Sequence, residues 1–279
     1  TYPGIGFSWP GLQTVHSAAI SWSGRYTYIN GEPGGGGGAE CAFDDDTNKP
    51  LIHILDRVTG NVVGQWMLPR PQDRIGGENC TSHTVSMIPS LDRNLMAWSG
   101  YTGGISVIDF TNPKAPREIA FVDQVTGPLA TGSGCWTGYW YNDNLYCNEL
   151  GWGQHVFTLN EPWWKQALNF TELNPQTATK LIRCSVSFTG GPARARRNGT
   201  VNVNVKVFGP APLQAAWGAM AEIRAPGYYK SVKTGEAGTA SAVVRATGRG
   251  KLSVTVPAME NMVGCAAPTK NIARVATKR

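Results

Sequence analysis

The chain is most constrained by a grammar of short apolar pieces that recurs along its first 160 residues. The clearest unit runs Cys80-Thr81-Ser82-His83-Thr84-Val85-Ser86-Met87, then Asn94-Leu95-Met96-Ala97-Trp98, then Gly104-Ile105-Ser106-Val107-Ile108-Asp109. It closes with a fourth piece ending in Glu118-Ile119-Ala120-Phe121. Each piece is strand-length, and Gly, Asn, Asp or Pro separates it from the next. Four short strands in about 45 residues make one antiparallel propeller blade. The same order appears upstream, from Val15-His16-Ser17 through Tyr26-Thr27-Tyr28-Ile29 and Leu51-Ile52-His53-Ile54-Leu55-Asp56 to Val62-Val63-Gly64-Gln65-Trp66. A third unit follows, from Cys135-Trp136-Thr137 through Asn144-Leu145-Tyr146-Cys147 to Gln154-His155-Val156-Phe157. Asp56 and Asp109 occupy matching places in the first two units, near the separation expected of successive blades. The glycine run 34–38 and the acidic run Asp44-Asp45-Asp46 read as a long insertion in the first unit.

The middle unit carries Val107-Ile108-Asp109-Phe110-Thr111-Asn112-Pro113, followed by Ala115-Pro116-Arg117-Glu118-Ile119. With Glu78-Asn79-Cys80-Thr81-Ser82-His83 and Tyr139-Trp140-Tyr141-Asn142, this resembles the LVIVD-repeat β-propellers of secreted bacterial proteins. The resemblance covers about residues 10–162 and implies a propeller fold outside the cell. Three units are fewer than the roughly 4–8 blades that close a propeller, so other blades must come from another chain, another copy or a longer precursor.

Beyond a linker at 163–180, helical or irregular and opening on Trp163-Trp164-Lys165, the pattern turns to strict alternation. Val201-Asn202-Val203-Asn204-Val205-Lys206-Val207 is a period-two strand with one apolar face. Ser241-Ala242-Val243-Val244-Arg245 and Lys251-Leu252-Ser253-Val254-Thr255-Val256 follow the same rule. Several such strands indicate a sandwich over 181–279. The stretch 225–256 is similar to bacterial Ig-like or carboxypeptidase-regulatory-like modules, which implies a spacer or adhesive unit without catalytic machinery. The expected architecture is therefore all-β, a partial β-propeller of about three four-stranded blades followed by an Ig-like β-sandwich.

Six cysteines, Cys41, Cys80, Cys135, Cys147, Cys184 and Cys265, contain no Cys-x-x-Cys pair, which argues against structural zinc. An even number in a turn-rich chain suits disulfides and an extracellular, oxidising setting. Cys135 and Cys147 could staple one hairpin, and Cys184 and Cys265 bracket the C-terminal region. Cys41 and Cys80 would then remain, although sequence alone leaves connectivity open, and six buried thiols are the alternative. No run of 18 apolar residues is present to span a membrane, and Thr1-Tyr2-Pro3-Gly4 does not resemble a signal peptide, so the chain reads as processed or cut from something longer.

The net charge is +6, with Arg194, Arg196, Arg197, Lys230, Lys233, Arg245, Arg249, Lys251, Lys278 and Arg279 gathered in the last hundred residues. This balance would attract an anionic polymer or surface. No aromatic stacking residues interleave with these charges, so nucleic acid is not indicated, and a solvated basic face is the plainer reading.

Chemistry-bearing residues are few. His16 and His83 open the first strands of successive units, where side chains approach the propeller channel. Converging imidazoles there could hold a divalent metal, with Glu32, Glu78 or Glu149 as oxygen ligands. The matching place in the third unit falls near Trp136, which breaks the ring of histidines, and blade histidines also serve to bond one blade to the next. His53 and His155 lie on later strands and read as structural. Glu40 and Asp44-Asp45-Asp46 could hold calcium but lack a calcium-loop spacing, and a solvated acidic loop is the plainer reading. No Gly-x-Ser-x-Gly elbow or His-Glu-x-x-His helix occurs. Two functions follow. The first is an extracellular interaction module whose blades offer a binding or assembly face to other protein chains. The rival is a propeller enzyme or metal-binding oxidoreductase with its site in the central channel.

Overall fold

The computed structural model describes residues 14–36, 50–70, 78–123, 134–160, 167–170, 182–208, 214–258 and 262–273. The fold is all-β. Among these residues the strands form sheets that are antiparallel apart from one short parallel pair, none closed, and the only helical element is one 3-10 turn, Pro33–Gly36. No helix among them is long and apolar enough to cross a membrane. The chain divides into two compact units, one formed chiefly by Thr1–Ala167 and the other chiefly by Ala178–Arg279.

Among the described residues the first unit contains three sheets, each a simple up-and-down run. β1 (Val15–Ile20), β2 (Tyr26–Gly31), β3 (Ile52–Asp56) and β4 (Val62–Trp66) pair in chain order. So do β5 (Thr84–Ile88), β6 (Leu95–Ser99), β7 (Ile105–Asp109) and β8 (Arg117–Val122). The third sheet has three strands among the described residues, β9 (Cys135–Tyr141), β10 (Asn144–Glu149) and β11 (Gly153–Thr158), where a four-stranded blade was expected. β9 and β10 meet in a two-residue hairpin with both Asn142 and Asp143 at positive φ. This is the turn whose twist matches that of the flanking strands, and Asn and Asp tolerate it best after glycine.

Sheet packing follows from the register. In the middle sheet, Val85 faces Trp98, and Met87 faces Met96, which in turn faces Ile108. These residues share one apolar core with Tyr28, Ile54 and Trp66 of the first sheet. On the opposite face, Ala97 and Val107 pair, and they share a second core with Trp140 and Leu145 of the third sheet. The middle sheet is thus buried on both faces from β5 to β7, while its edge strand β8 is half-exposed. First strands carry the stacking: β1 packs on β5, and β5 on β9. Close approach has a backbone cause at Gly64 in β4, where a Cβ would lie 1.7 Å from the Pro113 carbonyl oxygen in the β7–β8 connection.

The repeat seen in the sequence also has a physical basis at the turns. Asp56 and Asp109 both end a third strand. Each accepts from the backbone N–H two residues on, Val58 at 2.8 Å and Thr111 at 2.9 Å, and each also accepts from an arginine just before the second strand, Arg25 and Arg93 respectively. These bonds hold both carboxyls below the usual aspartate range against the opposing effect of desolvation.

Among the described residues the second unit holds two five-stranded sheets. One contains β12 (Ile182–Gly190), β13 (Asn198–Phe208), β14 (Gln214–Ala215), β17 (Thr239–Arg245) and β19 (Met262–Val263). The other contains β15 (Met220–Ala225), β16 (Tyr228–Lys233), β18 (Gly250–Val256), β20 (Cys265–Ala266) and β21 (Lys270–Ile272). Along β13, Val201, Val203, Val205 and Val207 are buried while Asn202 and Lys206 are not, as the alternation requires. A Cys184–Cys265 disulfide ties β12 of one sheet to β20 of the other, and a Cys135–Cys147 disulfide staples the β9–β10 hairpin. Cys80 is also disulfide-bonded, and none of the described cysteines is free; Cys41 lies outside the described residues.

Candidate functional site

A side-chain cluster forms where the first two sheets meet. His16 is the second residue of β1, Glu32 follows β2, and His83 immediately precedes β5. β1 and β2 are hydrogen-bonded neighbours, so His16 and Glu32 come together across one edge of the first sheet. The stacking of β1 on β5 supplies His83.

Each imidazole is oriented by the sheet next to it. His16 Nδ1 donates to the His83 carbonyl at 2.8 Å, and His83 Nδ1 donates to the Trp136 carbonyl at 2.7 Å. Trp136 is the place in the third unit that matches the two histidines, so one relation repeats from sheet to sheet. The rings follow the same course, with centroids 4.5 Å apart for His16 and His83 and 5.0 Å for His83 and Trp136. A carbonyl oxygen can only accept, so each Nδ1 carries a proton, and in the neutral imidazole Nε2 keeps its lone pair. Both Nε2 atoms face the Glu32 carboxylate, at 3.4 Å from Oε2 for His16 and 3.5 Å from Oε1 for His83.

Glu32 is buried, and so is His83, whereas about a third of the His16 side chain remains open to solvent (32%). Burial is the main cause holding the His83 imidazole below its usual range, partly offset by its bond to Trp136 and by the Glu32 charge. Tyr101 completes the cluster: its hydroxyl donates to Glu32 Oε1 at 2.6 Å, and burial, then Glu32, raises the phenol above its usual range. Tyr101 sits at φ 46°, uncommon for an aromatic residue, and its backbone exchanges hydrogen bonds with Cys135. Gly36, at φ +84°, gives the phenol room, since a Cβ there would lie 2.1 Å from the Tyr101 hydroxyl oxygen.

Among the described residues, His16, Glu32 and His83 form a group whose ligand atoms lie within 4.8 Å of one another. Glu78 does not belong to it. Glu149 is drawn elsewhere, its Oε2 lying 2.6 Å from His155 Nε2. The register explains this: Cys147 opposes His155 and Glu149 opposes Gly153, so Glu149 and His155 are diagonal neighbours on one face. His53 is buried and accepts from the Gln65 amide at 3.0 Å. Glu40 and Asp44-Asp45-Asp46 lie outside the described residues. Tyr101 escaped the sequence reading, and Gly36 was read only as part of a long insertion; the fold of the turns brings both to the carboxylate.

In the second unit Arg194, Arg196, Arg197, Lys230, Lys233, Arg245, Arg249 and Lys251 are all exposed. Lys278 and Arg279 lie outside the described residues.

No protein-family model and no characterised protein matches the chain. Among solved structures, it is similar to the extracellular domain of a putative hybrid two-component system from B. thetaiotaomicron, at 8% identity and a TM-score of 0.31 over 95% of this chain. A second is the extracellular domain of a putative one-component system from the same organism, at 9% identity and a TM-score of 0.30. The chain spans 31% of the length of each.

Proposed function

We propose that the chain is an extracellular assembly module: three propeller blades of the LVIVD kind that stack with the blades of a second copy, followed by an Ig-like sandwich acting as spacer. The observation that carries this reading is the difference between the middle and third sheets. The middle sheet is apolar on both faces and has a neighbour on each. The third sheet has one face in a core, through Trp140 and Leu145. Its other face carries the cross-strand row Tyr139, Tyr146 and Val156, with Val156 54% exposed. An apolar row on an outward sheet face is the kind of surface that another sheet covers.

A second copy suits that face because its sheets are built to stack by the same face-to-face packing. Two copies would bring six sheets, within the roughly 4–8 of a closed propeller. The disulfides support a location outside the reducing cytosol. The exposed cations of the second unit read as a solvated face. Sedimentation velocity tests the proposal. The purified chain is expected to sediment at about twice its 30.0 kDa mass, and Val156→Asp is expected to return it to that mass without loss of strand content. A monomer at every concentration, or an assembly indifferent to Val156→Asp, overturns it.

A further inference from the structure

We propose that His16, Glu32 and His83 form a binding site for one divalent transition-metal ion of the zinc class, built at the junction of the first two sheets, with Tyr101 positioning the carboxylate. The inference rests on geometry and is independent of any assembly between copies.

Three facts converge. First, both imidazoles spend their Nδ1 proton on a backbone carbonyl, which makes Nε2 the lone-pair donor of the neutral ring. Histidine ligands are typically fixed in this way, the second nitrogen donating to a carbonyl or carboxylate. Second, the spacing suits an ion better than direct contact. Donor–acceptor distances in N–H···O bonds centre near roughly 2.9–3.0 Å. The Nε2–carboxylate distances are 3.4 Å from His16 to Oε2 and 3.5 Å from His83 to Oε1, and one ligand atom from each residue lies within 4.8 Å of the others. Metal bonds of roughly 2.0–2.2 Å at tetrahedral angles put neighbouring ligand atoms about 3.3–3.6 Å apart. Third, two lone-pair nitrogens and a carboxylate are gathered in a largely buried place, with the Tyr101 hydroxyl as the proton donor aimed at the carboxylate. With both rings neutral these acceptors outnumber the one donor and repel one another, and a cation among them removes that cost.

Two imidazoles and one carboxylate are a borderline donor set that suits zinc or copper better than calcium or magnesium. Partial exposure of His16 gives solvent access to a remaining coordination position. Tyr101 and Gly36 act at one remove: the phenol holds Oε1, and the glycine lets the phenol approach.

The experiment uses the full chain, stripped with a chelator and dialysed, then titrated with Zn2+ in competition with a chromophoric chelator. One ion per chain is expected. Glu32→Gln and His16→Gln should each weaken binding by at least about 100-fold, and Tyr101→Phe by about 10-fold, in line with the roughly 10–100-fold cost of losing an outer-shell partner. His155→Gln should bind as the unaltered chain does. Co2+ should give the intense visible absorption of a tetrahedral site, lost in Glu32→Gln. Thermal unfolding in chelator monitors folding, and if Glu32→Gln melts early, the more exposed His16→Gln carries the test. Failure of the folded chain to bind Zn2+, or binding that is unchanged in His16→Gln, overturns the proposal and leaves the three side chains as a junction between sheets.

Discussion

His53 shows how one buried side chain sets a pH dependence. Desolvation pushes its imidazole down to about 4 from 6.5, while the Gln65 amide holds Nδ1 as an acceptor. The folded chain therefore keeps His53 neutral between these values, while the unfolded chain takes up a proton. Stability must fall as pH drops from about 6.5 to about 4, by at most about 3 kcal/mol from this residue, and flatten below. Melting curves across that range should show a shallower slope for His53→Gln than for the unaltered chain. Gly64 makes a second prediction. Its missing Cβ is what allows β4 to reach the Pro113 carbonyl, and backbone yields less than a side-chain tip. Gly64→Ala should cost about 2–3 kcal/mol, at the upper end of overpacking, read by denaturant unfolding. At this scale the sequence was partly legible. His16 and His83 could be paired because the repeat sets their positions, whereas Glu32 was one of three carboxylates with equal claim. Glu78 and Glu149 were indistinguishable from Glu32 until register sent Glu149 to His155.

Elements were legible in proportion to how unequal their two faces are. β13 alternates because one face meets water and the other a core, so four valines announced it. β6 and β7 carry no alternation, being buried on both sides, and only their flanking turns marked them as strands. Which of their residues face the first sheet and which the third depends on pairing partners far along the chain. The β9–β10 hairpin was announced by its cysteines and closed by Asn142-Asp143. Its disulfide spans 12 residues, whereas Cys184–Cys265 spans 81. Cross-linking the longer loop removes more freedom from the unfolded chain. Cys184→Ser with Cys265→Ser should therefore cost about 4–5 kcal/mol, against about 3 kcal/mol for Cys135→Ser with Cys147→Ser. Chemical denaturation of the two double variants checks the order.

For the whole molecule, the two-sided burial of the middle sheet governs how the first unit comes into being. Neither of its cores can form without it, and its strands β5 to β7 have almost no face of their own to show to water. Strand by strand it cannot assemble as a lone intermediate, because half-built it would present a slab of Trp98, Met96, Val107 and Ile105 to any other chain nearby. The stacked sheets must gain and lose their order together, so a cut that removes either outer sheet would yield an aggregating remnant instead of a smaller working protein.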